Sequence, residues 1–116
     1  MTREIDVLIA AIILFTLAIF AGIILLVIFF LDGKMPRRFA LVHGVVAVTA
    51  LLLAVVFFSL GRGPSSPAGI LVLVVAAVTG YTLFRMGLKD RRFPKWLPVL
   101  HGFVAAVGFI ILLLSL

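Results

Sequence analysis

Four long apolar runs limit this chain to a membrane fold. They cover residues 7–31, 39–60, 68–88 and 97–116. Each has about the 20 residues that an α-helix needs to cross a hydrocarbon core. Since 66% of the residues are hydrophobic, a water-soluble fold of this length would leave too much apolar surface in contact with water. The first run is too long for the core of a signal peptide, and we interpret it as a retained helix.

The segments between the runs are short and rich in glycine and proline. They lie at residues 32–38, 61–67 and 89–96. Loops this short place neighbouring helices antiparallel. We therefore predict an all-α membrane fold, an antiparallel bundle of four transmembrane helices that forms a single transmembrane domain over residues 1–116.

Basic residues are concentrated in the first and third loops, and the middle loop has only Arg62. Under the positive-inside rule, loops one and three face the cytoplasm, and both termini and the middle loop face outward. We predict a multi-pass protein of the bacterial inner (cytoplasmic) membrane. The net charge of +6 then indicates contact with lipid headgroups rather than with nucleic acid. The expected partners are the lipid bilayer and a homodimer or larger membrane complex.

The two halves of the sequence resemble each other. A shift of 58 residues aligns them without a gap and matches several polar or conformationally special residues: Gly22 with Gly80, Asp32 with Asp90, Pro36 with Pro94, His43 with His101, and Gly44 with Gly102. We predict two tandem helical-hairpin repeats, residues 1–58 and 59–116. Because each repeat has two helices, the copies share one orientation and a pseudo-two-fold axis along the membrane normal.

The repeat places His43 and His101 at the same depth, about one turn inside the cytoplasmic boundary. Histidine within a membrane span usually faces the protein interior. Each histidine heads a stripe of mostly small residues at helical spacing: Ala47, Ala50 and Ala54 after the first, and Ala105, Gly108 and Leu112 after the second. Gly44 and Gly102 are expected to add room beside the rings.

The first interpretation of this pair is a bis-histidine site for haem b between helices two and four, with His43 and His101 as ligands of the haem iron. The small residues would leave space for the macrocycle. Arginines near the same end would pair with the propionates: Arg37, Arg38, Arg85, Arg91 and Arg92. A redox role follows only if haem is bound.

Two resemblances accompany this interpretation. With His43 and His101 on the second and fourth helices, the chain resembles membrane b-type cytochromes, which implies electron transfer or haem carriage. The pattern Pro-x6-His-Gly, which begins at Pro36 and again at Pro94, resembles small uncharacterised bacterial four-helix inner-membrane proteins. That second resemblance implies no particular activity.

Two other interpretations stay open. Small residues at helical spacing also let membrane helices pack closely, which would make the chain a structural or accessory subunit without a cofactor. Thr79, Tyr81 and Thr82 are typical of interhelical hydrogen bonds. In length the chain resembles small multidrug-resistance transporters, but its four acidic residues lie at ends or in loops, so a proton-coupled transporter or channel is disfavoured. No motif of a hydrolase or group-transfer enzyme is present, and the absence of cysteine excludes thiol chemistry.

Overall fold

A computed structural model of the chain describes residues 3–32, 34–61, 66–88 and 94–116, apart from the side chains of residues 3–5 and 32. These residues form four helices: α1 (Arg3–Asp32), α2 (Arg37–Ser59), α3 (Ala68–Leu88) and α4 (Trp96–Leu114). Each helix is long and apolar enough to cross a membrane. The prediction of four helices of membrane-spanning length is confirmed.

Proline and glycine set the ends of α2. Pro36 precedes its first residue with φ −64° and ψ 116°, an extended conformation that cannot continue a helix backwards. Gly61 follows its last turn with φ 73°, in the left-handed region that glycine enters without steric cost. Its N–H donates to the Phe58 carbonyl at 2.9 Å, which caps one of the last free carbonyl groups.

The helices form a closed ring in which each packs against two neighbours. The contacts run α1–α2, α2–α3, α3–α4 and α4–α1. Helices α3 and α4 are antiparallel. Gly80, in the second half of α3, contacts His101 near the start of α4, and Gly69, at the start of α3, contacts Leu112 near the end of α4. Among the described residues, no Cα of α2 lies within 8 Å of a Cα of α4. Helices α2 and α4 are therefore diagonal, and only their longer side chains can meet.

The outer surface of the bundle is apolar, as contact with lipid requires. Leu31 and Leu114 are 81% and 83% exposed, and many other large aliphatic and aromatic side chains are exposed along all four helices. Among the described residues, none that is polar or charged is fully buried. Helices satisfy their own backbone hydrogen bonds, so this surface is compatible with hydrocarbon. The apolar exterior and the helix lengths together indicate a multi-pass membrane protein.

The half of the bundle that contains the C-terminal ends of α2 and α4 has a filled core. Ala50 and Ala54, from the predicted small-residue stripe of α2, are buried. They belong to one cluster with larger side chains of the other three helices: Phe15, Ile70, Leu73 and Leu112. The stripe does face the interior, but at this level it leaves no space for a macrocycle, since phenylalanine and leucine fill the volume that the alanines leave.

Glycines bring α3 and α4 close together in the same half. A Cβ on Gly69 would lie 2.7 Å from the Leu112 nitrogen and 2.9 Å from its Cα. A Cβ on Gly108 would lie 2.9 Å from Cγ of Leu73. Only glycine permits such an approach of helix backbones. Gly108 thus serves the packing of α4 against α3, its neighbour, and not against α2.

Candidate functional site: a histidine pair across the bundle

The two histidines meet in the interior of the bundle. His43 extends from α2 and His101 from α4, and both side chains are partly buried. Their ring centroids are 6.4 Å apart, and their planes are nearly perpendicular at 87°. Because α2 and α4 are diagonal, the pair spans the centre of the bundle. The structure thus brings together the two residues that the sequence singled out.

Each imidazole lies against a glycine of the preceding helix. A Cβ on Gly22 of α1 would be 3.2 Å from Cε1 of His43, and a Cβ on Gly80 of α3 would be 2.8 Å from Cε1 of His101. Any larger residue would push the ring away from its present position. Gly22 and Gly80 were not among the predicted site residues, although the 58-residue shift matches them with each other just as it matches the histidines.

Gly44 and Gly102 do not have the role that we expected of them. A Cβ on either glycine would have no atom within 4 Å, so neither provides the space in which a ring lies. The reason is geometric, since the residue after a histidine on a helix projects about 100° around the axis from it. The space beside the rings comes from the neighbouring helices instead.

The two rings differ in their hydrogen bonding. Oγ1 of Thr79 lies 3.2 Å from Nδ1 of His101. The 58-residue shift places Ala21 where α3 has Thr79, and alanine offers no such group. Nδ1 of His43 is buried and has no hydrogen-bond partner in the described part of the chain. Both rings also have a backbone neighbour at matching positions, Ala18 beside His43 and Ala76 beside His101, so the difference between them is the hydroxyl of Thr79.

The other hydroxyls near Gly80 do not bridge helices. Thr82 donates to the Val78 carbonyl at 3.0 Å, within α3. The Tyr81 hydroxyl accepts from Arg85 at 3.3 Å, also within α3. Of the three residues predicted to form interhelical hydrogen bonds, Thr79 alone has one to another helix within the described part of the chain.

The side chains next to the histidine pair are small. Ala18 and Ala76 precede Gly22 and Gly80 by one helical turn, and both are buried, 5% and 4% exposed. Ala47 and Ala105 follow His43 and His101 by one turn and are partly buried. All four helices therefore contribute an alanine one turn from the pair. The larger side chains of the core cluster, such as Phe15, lie farther from the histidine pair along the helix axes.

The structure describes three of the five predicted arginines, and none of these three lies beside the histidine rings. Arg37 and Arg38 are exposed in the first turn of α2, which places them roughly 8 to 9 Å along the axis from His43. Arg85 is exposed on α3 and lies with its guanidinium carbon 6.0 Å from the centre of the Tyr81 ring, on the outer surface of the bundle. Arg91 and Arg92 lie outside the described residues.

The donor set restricts the kind of metal centre. Within residues 3–32, 34–61, 66–88 and 94–116, no group of three or more His, Cys, Asp or Glu side chains is placed to hold a metal ion. A free zinc ion usually takes at least three protein ligands. Haem iron needs one or two, because the macrocycle supplies the others. The described residues thus place two imidazoles together, one ligand fewer than such a zinc site uses.

These features define a class: a four-helix bundle of membrane-spanning helices with two imidazoles across its centre. Comparisons of the chain with protein-family models, curated proteins and solved structures find no match.

Proposed function

We propose that this protein binds haem b through His43 and His101 and serves electron transfer or haem carriage in a membrane. The observation that carries the proposal is the 6.4 Å separation of the two ring centroids. Imidazoles that each coordinate at about 2 Å on opposite sides of one iron have ring centres roughly 6 Å apart. The two rings therefore have the separation that a shared iron requires.

The surroundings of the pair support the proposal. Gly22 and Gly80 leave bare backbone beside the rings, and alanines occupy the next turn on all four helices. A large flat ligand needs such small neighbours, and close packing of membrane helices uses them as well. When bound, haem b would supply reversible one-electron transfer. His43 and His101 would hold it through their imidazoles, and the apolar helices would exclude water.

The basic end of the bundle provides cations for the propionates. Arg37 and Arg38 lie at the end of α2 nearest to His43, and we propose that they form charge-assisted hydrogen bonds with the carboxylates, together with Arg91 and Arg92 of the third loop. Arg85 contacts Tyr81 on the outer surface, so its proposed contact with a propionate requires its side chain to turn toward the end of the helix.

The proposal is tested by visible absorption of the protein purified in detergent. Titration with haemin is expected to produce a sharp Soret band and the low-spin spectrum of bis-imidazole iron, with saturation at one haem per chain. A protein that is colourless and takes up no added haemin would rule out this function. A variant with both His43→Ala and His101→Ala, at equal concentration, keeps the apolar surface and controls for non-specific uptake.

A cofactor-free accessory subunit is the second candidate, and the filled core favours it. Ala50, which is 0% exposed, is enclosed by Phe15, Leu73 and Leu112. A bundle of this kind is held by close packing alone. Failure to bind haemin, with both histidines still in contact in an experimental structure, would favour this second function.

We further propose that the two hairpins arose by duplication, share a pseudo-two-fold axis along the membrane normal, and lie in a bacterial inner membrane with loops one and three in the cytoplasm. The same contact of histidine with glycine in both hairpins supports the duplication. The excess of Lys and Arg in the two loops supports the orientation.

The orientation is tested by thiol labelling, because the chain has no cysteine of its own. In intact bacterial cells with a permeabilised outer membrane, an impermeant maleimide is expected to label Ser66→Cys in the middle loop. Lys34→Cys in the first loop should react only after the inner membrane is disrupted. The reverse pattern would contradict the proposed orientation.

A further inference from the structure

We propose that Thr79 is a positioning residue that fixes the tautomer of His101, so that the ring carries its proton on Nδ1 and presents Nε2 as a free lone pair. The assignment follows from three contacts of one hydroxyl group. Oγ1 of Thr79 lies 2.9 Å from the Ala76 carbonyl oxygen, 3.2 Å from the Val75 carbonyl oxygen and 3.2 Å from Nδ1 of His101.

The hydroxyl has a single hydrogen, which it donates in hydrogen bonds to the carbonyl oxygens of its own helix. Two oxygens 2.9 Å apart repel each other unless a hydrogen lies between them, so Thr79 donates to its own helix. The other described threonines do the same: Thr16, Thr49 and Thr82 donate to the carbonyl four residues earlier, at 2.8, 2.7 and 3.0 Å. The Thr79 oxygen is then an acceptor, and Nδ1–H of His101 is the donor.

This arrangement makes the two histidines inequivalent. In a neutral imidazole with its proton on Nδ1, the second nitrogen is unprotonated and is the atom that binds a metal. A hydrogen bond to the other nitrogen orients a ligating ring and raises its basicity. His101 has this support from a hydroxyl, whereas the 58-residue shift matches Thr79 with Ala21, and the buried Nδ1 of His43 has no described partner. His101 is therefore the pre-oriented ligand and His43 the adaptable one. The ligand role of Nε2 rests on the proposed function; the tautomer does not.

The tautomer is measured on the haem-free protein by nitrogen-15 NMR with labelled histidine. The chain has only two histidines, so His43→Gln assigns both sets of signals. At about pH 9, where free imidazole is neutral, His101 is expected to show a protonated Nδ1 and an unprotonated Nε2. Thr79→Val should shift His101 toward the Nε2–H form that free imidazole side chains prefer. Thr82→Val, which removes a hydroxyl bonded only to its own helix, should change neither ring.

The haem-bound protein gives the second measurement. Thr79→Val is expected to weaken haem binding about 10-fold, as changes in groups that orient metal ligands do. Thr79→Ser should restore most of the affinity, and Thr82→Val should leave it unchanged. An Nε2–H tautomer of His101 in the wild-type protein, or haem affinity unaffected by Thr79→Val, would overturn the positioning role. Wild-type protein that shows the Nδ1–H tautomer but takes up no haemin would overturn the proposed function and leave the tautomer assignment standing.

Discussion

Replacement of His43 or His101 with alanine is expected to abolish low-spin haem binding. Each variant removes one of the two imidazoles that would hold the haem, and the sequence has no third histidine and no cysteine to replace it. Changes that only disturb the orientation of a ligand cost about 10- to 100-fold in affinity, so loss of the ligand itself should exceed that range. Optical titration with haemin measures the effect for each variant.

The matched control for the histidine variants is Gly44→Ala. Gly44 is the residue after His43, and a Cβ there meets no atom within 4 Å. This variant should bind haemin like the wild type, which separates loss of a ligand from a general disturbance of α2. Circular dichroism verifies that all variants stay helical. A low-spin spectrum that persists in His43→Ala and in His101→Ala would show that haem binds elsewhere.

Gly69→Ala is expected to destabilise the bundle by about 1–3 kcal/mol, the usual cost of overpacking. The added methyl group would lie 2.7 Å from the backbone nitrogen of Leu112 and 3.1 Å from the Gly108 carbonyl oxygen. These atoms belong to the backbone of α4 and cannot rotate away as a side chain can. The two helices must separate, and the dispersion contacts between them weaken.

Gly87→Ala is the control for this prediction. Gly87 lies in the same helix, but a Cβ on it would have open space around it. Alanine favours the helical conformation more than glycine by up to about 1 kcal/mol, so this variant should be neutral or stabilising. Unfolding of both variants by a denaturing detergent, followed by circular dichroism, measures the difference. Equal stability of Gly69→Ala and the wild type would contradict the close contact of α3 with α4.

Much of the fold is predictable because it depends on local chemistry. In hydrocarbon a backbone must satisfy its own hydrogen bonds, so an apolar run of about 20 residues predicts a helix without knowledge of its neighbours. Pro36 and Gly61 predict the ends of α2 for equally local reasons, a missing N–H and a left-handed φ. Short loops then predict antiparallel neighbours.

The histidine pair was predictable in part. The common offset of His43 and His101 singled them out, and the structure brings their rings together. The offset alone did not distinguish Gly22 and Gly80, which contact the rings, from Gly44 and Gly102, which do not. All four glycines follow the same repeat. To tell which of them contact the rings, one must know how each helix is rotated about its axis.

The sequence by itself therefore determined four helices of membrane-spanning length, their ends and two histidines at matching positions, because these depend on composition and on neighbours along the chain. Only the tertiary structure decided that α2 and α4 are diagonal, that Phe15 and Leu73 fill the space beside the alanines of α2, and that Thr79 contacts one ring while Ala21 leaves the other without an equivalent. Those features depend on which faces of separate helices meet. The packing of the whole bundle determines which faces meet, and the sequence of a single helix does not.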